Sequence, residues 1–196
     1  PVFRYERPNV DPFWAITKHA DIIAIGKQPQ RFLNAPRLAV FTNDVAPPPE
    51  GASRHLLNMD PPDHARYRRV ASGWFTPRAV RAMDEKVARL TREVLDAAAE
   101  KEAGDFVRDV SAPITIAVIA EMLGVPRRDW ELLFRWTNEI IAPQDPEFQR
   151  GTAEQTLEQA RIELVTYFND LVNERRARPT GDIVSVVANA TVDGAP

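Results

Sequence analysis

Cysteine is absent from these 196 residues. Within the chain that excludes disulfides, thiolate zinc sites, iron–sulfur clusters and cysteine nucleophiles. Glycine is scarce, eight residues against seventeen prolines, so proline supplies most of the punctuation between elements. No apolar run approaches the roughly 20 residues that a membrane helix needs. The first residues also lack the basic-then-apolar order of a secretory signal. A cytoplasmic protein with no membrane span is therefore the expectation. No sign of charge dominates, with 25 Lys and Arg against 28 Asp and Glu and a net charge of -3. Nucleic acid is not an expected partner, because duplex binders carry a basic face that releases counterions. Only three histidines occur, His19, His55 and His64, and their spacing does not make a metal-ligand set.

What is present is a short strand-bearing start and a long helical remainder. Phe13-Trp14-Ala15-Ile16-Thr17 is aromatic and β-branched and reads as a strand, with a second extended piece around Phe3 to Tyr5. Ile22, Ile23 and Ile25 indicate a short helix over 21–27, closed by Gly26 or Pro29. From Ala35 to Arg54 the chain carries Pro36 and Pro47-Pro48-Pro49 without a period, which predicts a long irregular loop. Asp60 before Pro61-Pro62-Asp63 predicts a helix capped by Asp60 and running from Pro61 to about Trp74. Thr76-Pro77 opens a second pattern, in which Val80, Met83, Val87, Leu90 and Val94 predict one long helix reaching Gly104. Ala112 to Leu123 is apolar nearly all round and predicts a buried helix. Further helices are expected over 127–141, over 152–177, and over 182–189 with Asp182 as cap.

One pair stands out chemically. His64 and Arg68 are four residues apart and share a helix face. Both are expected in the first two turns, at the positive end of the helix dipole, where an anion would stabilise them. Two donors aimed at one anion is one reading. The other is a surface pair neutralised by Asp60, Asp63 and solvent.

The string from His55-Leu56-Leu57-Asn58-Met59-Asp60 through Pro61-Pro62-Asp63-His64-Ala65-Arg66-Tyr67-Arg68-Arg69, followed by Phe75-Thr76-Pro77-Arg78-Ala79-Val80, resembles the C-helix signature of bacterial cytochromes P-450. The likeness continues in register through Phe13 to Lys18, Gly104-Asp105-Phe106-Val107, Leu123-Gly124-Val125-Pro126 and Asp182 to Asn189. It implies a mainly α, prism-like helical fold with a small amino-terminal β region, stopping before the family's I helix. Along the chain this places a β region at about 1–35, a substrate loop at about 37–57 and helices C to H at about 61–190 within one domain. It implies heme b as cofactor, with His64 and Arg68 at the positions that bind the haem propionates. Leu57 matches a substrate-facing position. The segment from Phe134 to Phe148 corresponds to the mobile F-to-G lid, so that Phe134 and Ile140 become candidate substrate contacts. Against the lid reading, Trp130, Phe134 and Trp136 equally suit a core.

The resemblance implies a monooxygenase that takes electrons from a ferredoxin-type partner and hydroxylates a hydrophobic small molecule. Phe13 to Lys18, Leu57-Asn58-Met59-Asp60 and Asp145-Pro146-Glu147-Phe148 are similar to the sterol- and lipid-hydroxylating subgroup. Leu38, Val40, Phe41, Val45, Leu57, Ile140 and Ile141 would then supply apolar area for an elongated ligand. The axial cysteine, the I helix and the buried Glu-x-x-Arg pair of the family have no counterpart here. Glu147 with Arg150, and Glu158 with Arg161, fit that spacing but lie upstream of the expected place and read as chance surface pairs. Without a cysteine the chain by itself is expected to be inactive. The alternative is a non-catalytic helical interaction module or an inactive fragment.

Overall fold

The chain begins with an antiparallel hairpin, β1 (Val2–Arg7) and β2 (Val10–Ile16), in which Val2 faces Ile16, Phe3 faces Ala15 and Tyr5 faces Phe13. Pro8 and Asn9 make the connection, and Asn9 takes the left-handed backbone (φ 65°) that asparagine tolerates better than most residues. Tyr5 and Phe13 pack ring to ring at 5.1 Å, an aromatic cross-strand pair of the kind that stabilises such ribbons. A short helix, α1 (His19–Gly26), follows. This computed structural model describes residues 1–35, 55–192 and 194. The expected loop therefore falls outside the described residues for 36–54, and with it Leu38, Val40, Phe41 and Val45.

Two compact units are present, Pro1–Arg69 and Val70–Pro196. The division falls inside α2 (Asp63–Ala71), which is succeeded by a 3-10 turn over Ser72–Phe75. In the second unit come α3 (Pro77–Arg81), α4 (Asp84–Ala99), α5 (Ala112–Leu123), α6 (Trp130–Ile141), α7 (Ala153–Ala177) and α8 (Ile183–Ala188). Thr76 caps α3 by accepting the Ala79 N–H at 3.2 Å, with Pro77 behind it in the first turn, where its missing N–H costs nothing. The single helix expected from Thr76 to Gly104 is broken after Arg81. The Met83 N–H tightens onto the Val80 carbonyl at 3.0 Å, and Asp84 and Glu85 open a fresh first turn that favours acidic side chains.

The core of the second unit is built from Ala120 and Val125 at the end of α5, Leu133 and Trp136 of α6, Ala160 and Leu171 of α7, and Val184 of α8. Ala120 and Ala160 are fully buried, and methyl-sized side chains there let neighbouring helices approach closely. Trp136 is 3% exposed and packs at a tilt against the Tyr167 ring at 5.5 Å, while Trp130 packs against the same cluster and donates its indole N–H to the Val125 carbonyl. Both tryptophans are thus core residues. A π-helical turn over Val107–Ser111 runs into α5. The expectation of a buried helix over 112–123 holds only in part. Only Ala117 and Ala120 are buried, and Ile119 is 45% exposed, because α4, α6 and α8 cover part of its circumference.

The end of α5 is fixed by backbone chemistry. Gly124 adopts the left-handed conformation (φ 74°) that closes a helix, and a Cβ at this position would overlap the Asp182 carboxylate. Gly124→Ala should therefore lower the stability of the second unit by about 2 kcal/mol or more. Gly181→Ala is the control, because nothing lies within 4 Å of an added Cβ there. Urea unfolding of both variants should show a shifted midpoint for Gly124→Ala alone. Equal midpoints would contradict the packing described.

Candidate functional site

The helix carrying the histidine–arginine pair starts later than its sequence indicates. Asp60 does not cap it. The Asp60 carboxylate instead accepts the backbone N–H groups of Asn34 at 2.7 Å and Ala35 at 3.1 Å, and the two prolines that follow have no N–H to offer. Helical hydrogen bonding begins with the His64 N–H on the Asp60 carbonyl, and the helix runs from Asp63 to Ala71 rather than from Pro61 to Trp74. His64 accordingly lies in the first turn, where positive charge is disfavoured, whereas Arg68 lies in the last, where a cation is welcome. The dipole argument thus holds for His64 alone.

Four basic side chains decorate α2: His64, Arg66, Arg68 and Arg69. Arg66 is ion-paired to Asp63 at 3.2 Å, and Arg69 is also engaged. Among the described residues His64 and Arg68 alone of the four have no side-chain partner. His64 is half-buried and Arg68 exposed, and their spacing sets both on one face. Asp63 is already committed to Arg66, so the reading in which aspartates neutralise the pair is weakened. Two unpaired nitrogen donors on one face suit an external carboxylate or phosphate, which is what the propionates of a haem would present. Leu57 sits in a 3-10 turn, Leu56–Asn58, closed by the His55 N–H on the Asn58 side chain at 2.9 Å, and is 68% exposed.

The other expected site residues belong to α6 and its connection to α7. Phe134 meets Phe148 edge to face at 5.8 Å, while Ile140 packs against the core cluster. Glu147 and Arg150 are not a surface pair. Glu147 pairs with Arg108 at 3.1 Å, and Arg150 turns inward to Glu139 of α6 at 2.7 Å and Glu163 of α7 at 2.8 Å. The reason is geometric: the spacing makes neighbours only within a helix, and residues 142–151 are not helical. Arg135 also reaches Glu163, at 2.8 Å, and the Trp136 indole N–H donates to the same carboxylate at 2.8 Å. Glu139 is 1% exposed, so its charge is tolerable only beside these cations. A groove of about 730 Å³ elsewhere on the second unit is bordered by Trp74, Met83, Lys86, Glu121 and Met122, and none of the expected site residues borders it. Among the described residues no three His, Asp or Glu side chains gather as a metal site.

No protein-family model matches the chain. Its sequence nevertheless aligns over 185 residues, at 36% identity, with a steroid C26-monooxygenase of Mycolicibacterium smegmatis, covering 93% of this chain and 42% of that protein. Its fold matches CYP108D1 of Novosphingobium aromaticivorans with a TM-score of 0.80 and 30% identity, over 100% of this chain and 48% of the other. Mycobacterium marinum cytochrome P450 CYP268A2, solved in complex with pseudoionone, matches with a TM-score of 0.84 and 28% identity, over 100% and 49%. The chain matches the amino-terminal part of cytochromes P-450. It spans a little under half the length of these relatives.

The mainly α fold with a small amino-terminal β region, expected from the sequence, is the P-450 fold over this portion. Neither helical periodicity nor the P-450 likeness points to the Glu139–Arg150–Glu163 cluster, because its members come from three segments. One sequence signal existed: Glu139 lies on the same helical face as the apolar Leu132 and Trp136. No helix is long and apolar enough to cross a membrane among the described residues.

Hydrogen bonds from Arg150, and then from Trp136, hold the Glu163 carboxyl down to about 2 from 4.5. A depressed folded-state value means that this carboxylate's contribution to stability is complete above about pH 4.5 and drains away as the pH falls towards 2. The stability difference between the parent and Glu163→Gln should be constant above that window and shrink through it, as read by urea unfolding at stepped pH. A difference that persists undiminished at pH 2 would contradict the assignment.

Proposed function

We propose that the complete protein is a haem-dependent monooxygenase that hydroxylates a hydrophobic small molecule, sterol-, terpenoid- or lipid-like, using O2 and electrons from a ferredoxin-type donor. The observation that carries this reading is the pair His64 and Arg68, donors without a protein acceptor among the described residues, set at one face of the helix whose sequence matches the P-450 C-helix signature. The relatives point the same way, since a steroid C26-monooxygenase and a cytochrome P450 solved in complex with pseudoionone both concern apolar compounds. Haem would supply the oxygen-activating chemistry. The chain has no cysteine, so it does not itself offer a thiolate to the iron.

The work of these residues is then binding and positioning. His64 and Arg68 would hold the propionates of the haem through charge-assisted hydrogen bonds. Leu57, with most of its side chain exposed, is assigned to the substrate wall, and Phe134 and Ile140 to the lid that covers it. Phe134 keeps a ring partner in Phe148 and Ile140 a core contact, so both would offer substrate one edge of a side chain already held in place. Apolar walls of this kind stabilise a ligand by about 25 cal/mol per Å² buried, before ordering costs. An exposed Leu57 contributes on this account only when a ligand covers it.

In the complete protein, the double variant His64→Ala and Arg68→Ala should lose haem at least tenfold faster than the parent, since each charge-assisted bond is worth roughly 1.5 to 3 kcal/mol. Transfer of haem to a scavenging apoprotein measures that rate directly. An unchanged loss rate, with the fold intact by circular dichroism, would end the assignment.

A further inference from the structure

The segment between α6 and α7 is fastened in an unequal way. Gln144, Pro146, Glu147, Gln149 and Gly151 are exposed, and the Arg108–Glu147 ion pair joins two side chains that are each more than half in solvent. Pairs of that kind contribute little. Near its end, by contrast, Arg150 is gripped at both backbone and side chain. Its N–H donates to Thr156 Oγ1 at 2.7 Å, and the proton of that hydroxyl is shared between the Thr152 carbonyl at 2.9 Å and the Arg150 carbonyl at 3.1 Å. Its guanidinium reaches Glu139 Oε2 through Nη2 at 2.7 Å and Glu163 Oε1 through Nη1 at 2.8 Å, a fork spanning the two helices.

The helices do not depend on that fork for their own contact. Arg135 Nη2 and Trp136 Nε1 both donate to Glu163 Oε2, Trp136 packs at a tilt against Tyr167, and Leu133 and Trp136 pack with Ala160 in the core. Arg150 is therefore redundant for joining α6 to α7 and specific for holding down the segment that connects them. We propose that Arg150 is an ionic latch, closing residues 142–151 onto the helices they join, and that this connection opens by release of Arg150 while α6 and α7 stay packed. The proposal goes beyond the monooxygenase reading and holds whether or not a substrate passes beneath the connection.

The charge balance explains why the latch rests closed. Two arginines face two glutamates, and the cluster is neutral as a set. Glu139 is 1% exposed, and its hydrogen-bonded cation is Arg150; Arg135 Nε stands 3.6 Å from its other oxygen, beyond hydrogen-bond reach. Release of Arg150 strands a buried carboxylate, which strongly disfavours the open state. Glu163 is better provided for, because Arg135, Trp136 and Gln159 remain on it. The asymmetry identifies Glu139 as the partner that sets the strength of the latch.

Hydrogen–deuterium exchange by mass spectrometry on the complete protein tests this, in the parent, Arg150→Met, and Arg150→Met with Glu139→Gln. The double variant matters because it removes the stranded charge and leaves the Arg135–Glu163 pair whole, so the fold survives even where the single variant fails. In the double variant, exchange over 143–151 should rise about tenfold or more, as expected for a local opening. Exchange over 116–120 of α5 and 133–137 of α6 should match the parent. Unchanged exchange over 143–151 would overturn the latch. So would a rise shared equally by α5 and α6, or a double variant that does not fold, because the contact would then be holding the helices themselves.

Discussion

The guanidinium of Arg175 is the point on which the second unit closes. Its Nε donates to Asp182 at 2.6 Å and its Nη2 to the Gly124 carbonyl at 2.8 Å, so one side chain near the end of α7 holds the end of α5 and the start of α8. Asp182 in turn accepts the Ser185 N–H at 2.6 Å as cap of α8 and the Thr180 hydroxyl at 2.6 Å. Burial works against the Asp182 charge, but the bonds from Thr180, Arg175 and Ser185 outweigh it and hold its carboxyl below the usual range. Both members are more than nine-tenths buried. Loss of one partner from such a pair costs about 3 to 5 kcal/mol, more than the pair itself contributes over an apolar replacement. The knot is thus better understood as fixing where three chain ends meet than as a source of net stability.

A second polar knot, around Glu139, Arg150 and Glu163, lies towards the other end of α7, and the apolar core of Trp136, Ala160 and Leu171 lies along the same helix. Buried positions on α7 recur at Thr156, Ala160, Leu171 and Arg175, one face of a single long helix. That face changes character along its length, polar at each end and apolar in the middle. Thr156 belongs to the polar set, since its hydroxyl satisfies the Arg150 backbone as well as the Thr152 carbonyl. The result is one helix that organises the unit, with the connection before it and the helix after it both tied back by arginine.

Much of this is legible in the residues where a local signal coincides with the element's boundary. Helix α5 ends where Gly124 says it must, α7 opens on a Thr152–Gln155 capping box, and α8 opens on Asp182. The start of α2 is misread because Asp60 has the chemistry of a cap but spends its carboxylate on residues 34 and 35, far away in sequence. The break between α3 and α4 is missed because apolar spacing continues through it. Arg150, Glu163 and Arg175 are invisible to periodicity, since charged residues on long helices ordinarily face water and their partners here lie on other elements. His64 and Arg68 are a middle case. The residues alone show a shared face and leave two readings open, the family resemblance implies an anion, and the packing gives Asp63 to Arg66.

On the proposed reading, α2 presents His64 and Arg68 to a pair of carboxylates. Its sharpest test is competition between haem and haem dimethyl ester for the complete apoprotein, since the ester keeps the macrocycle and removes the negative charges. Preference for haem over the ester should be large in the parent and fall about tenfold or more in the variant lacking both donors, as the loss of two charge-assisted bonds implies. An equal preference in parent and variant would mean that these two side chains do not meet the carboxylates, and the account of α2 would have to be given up.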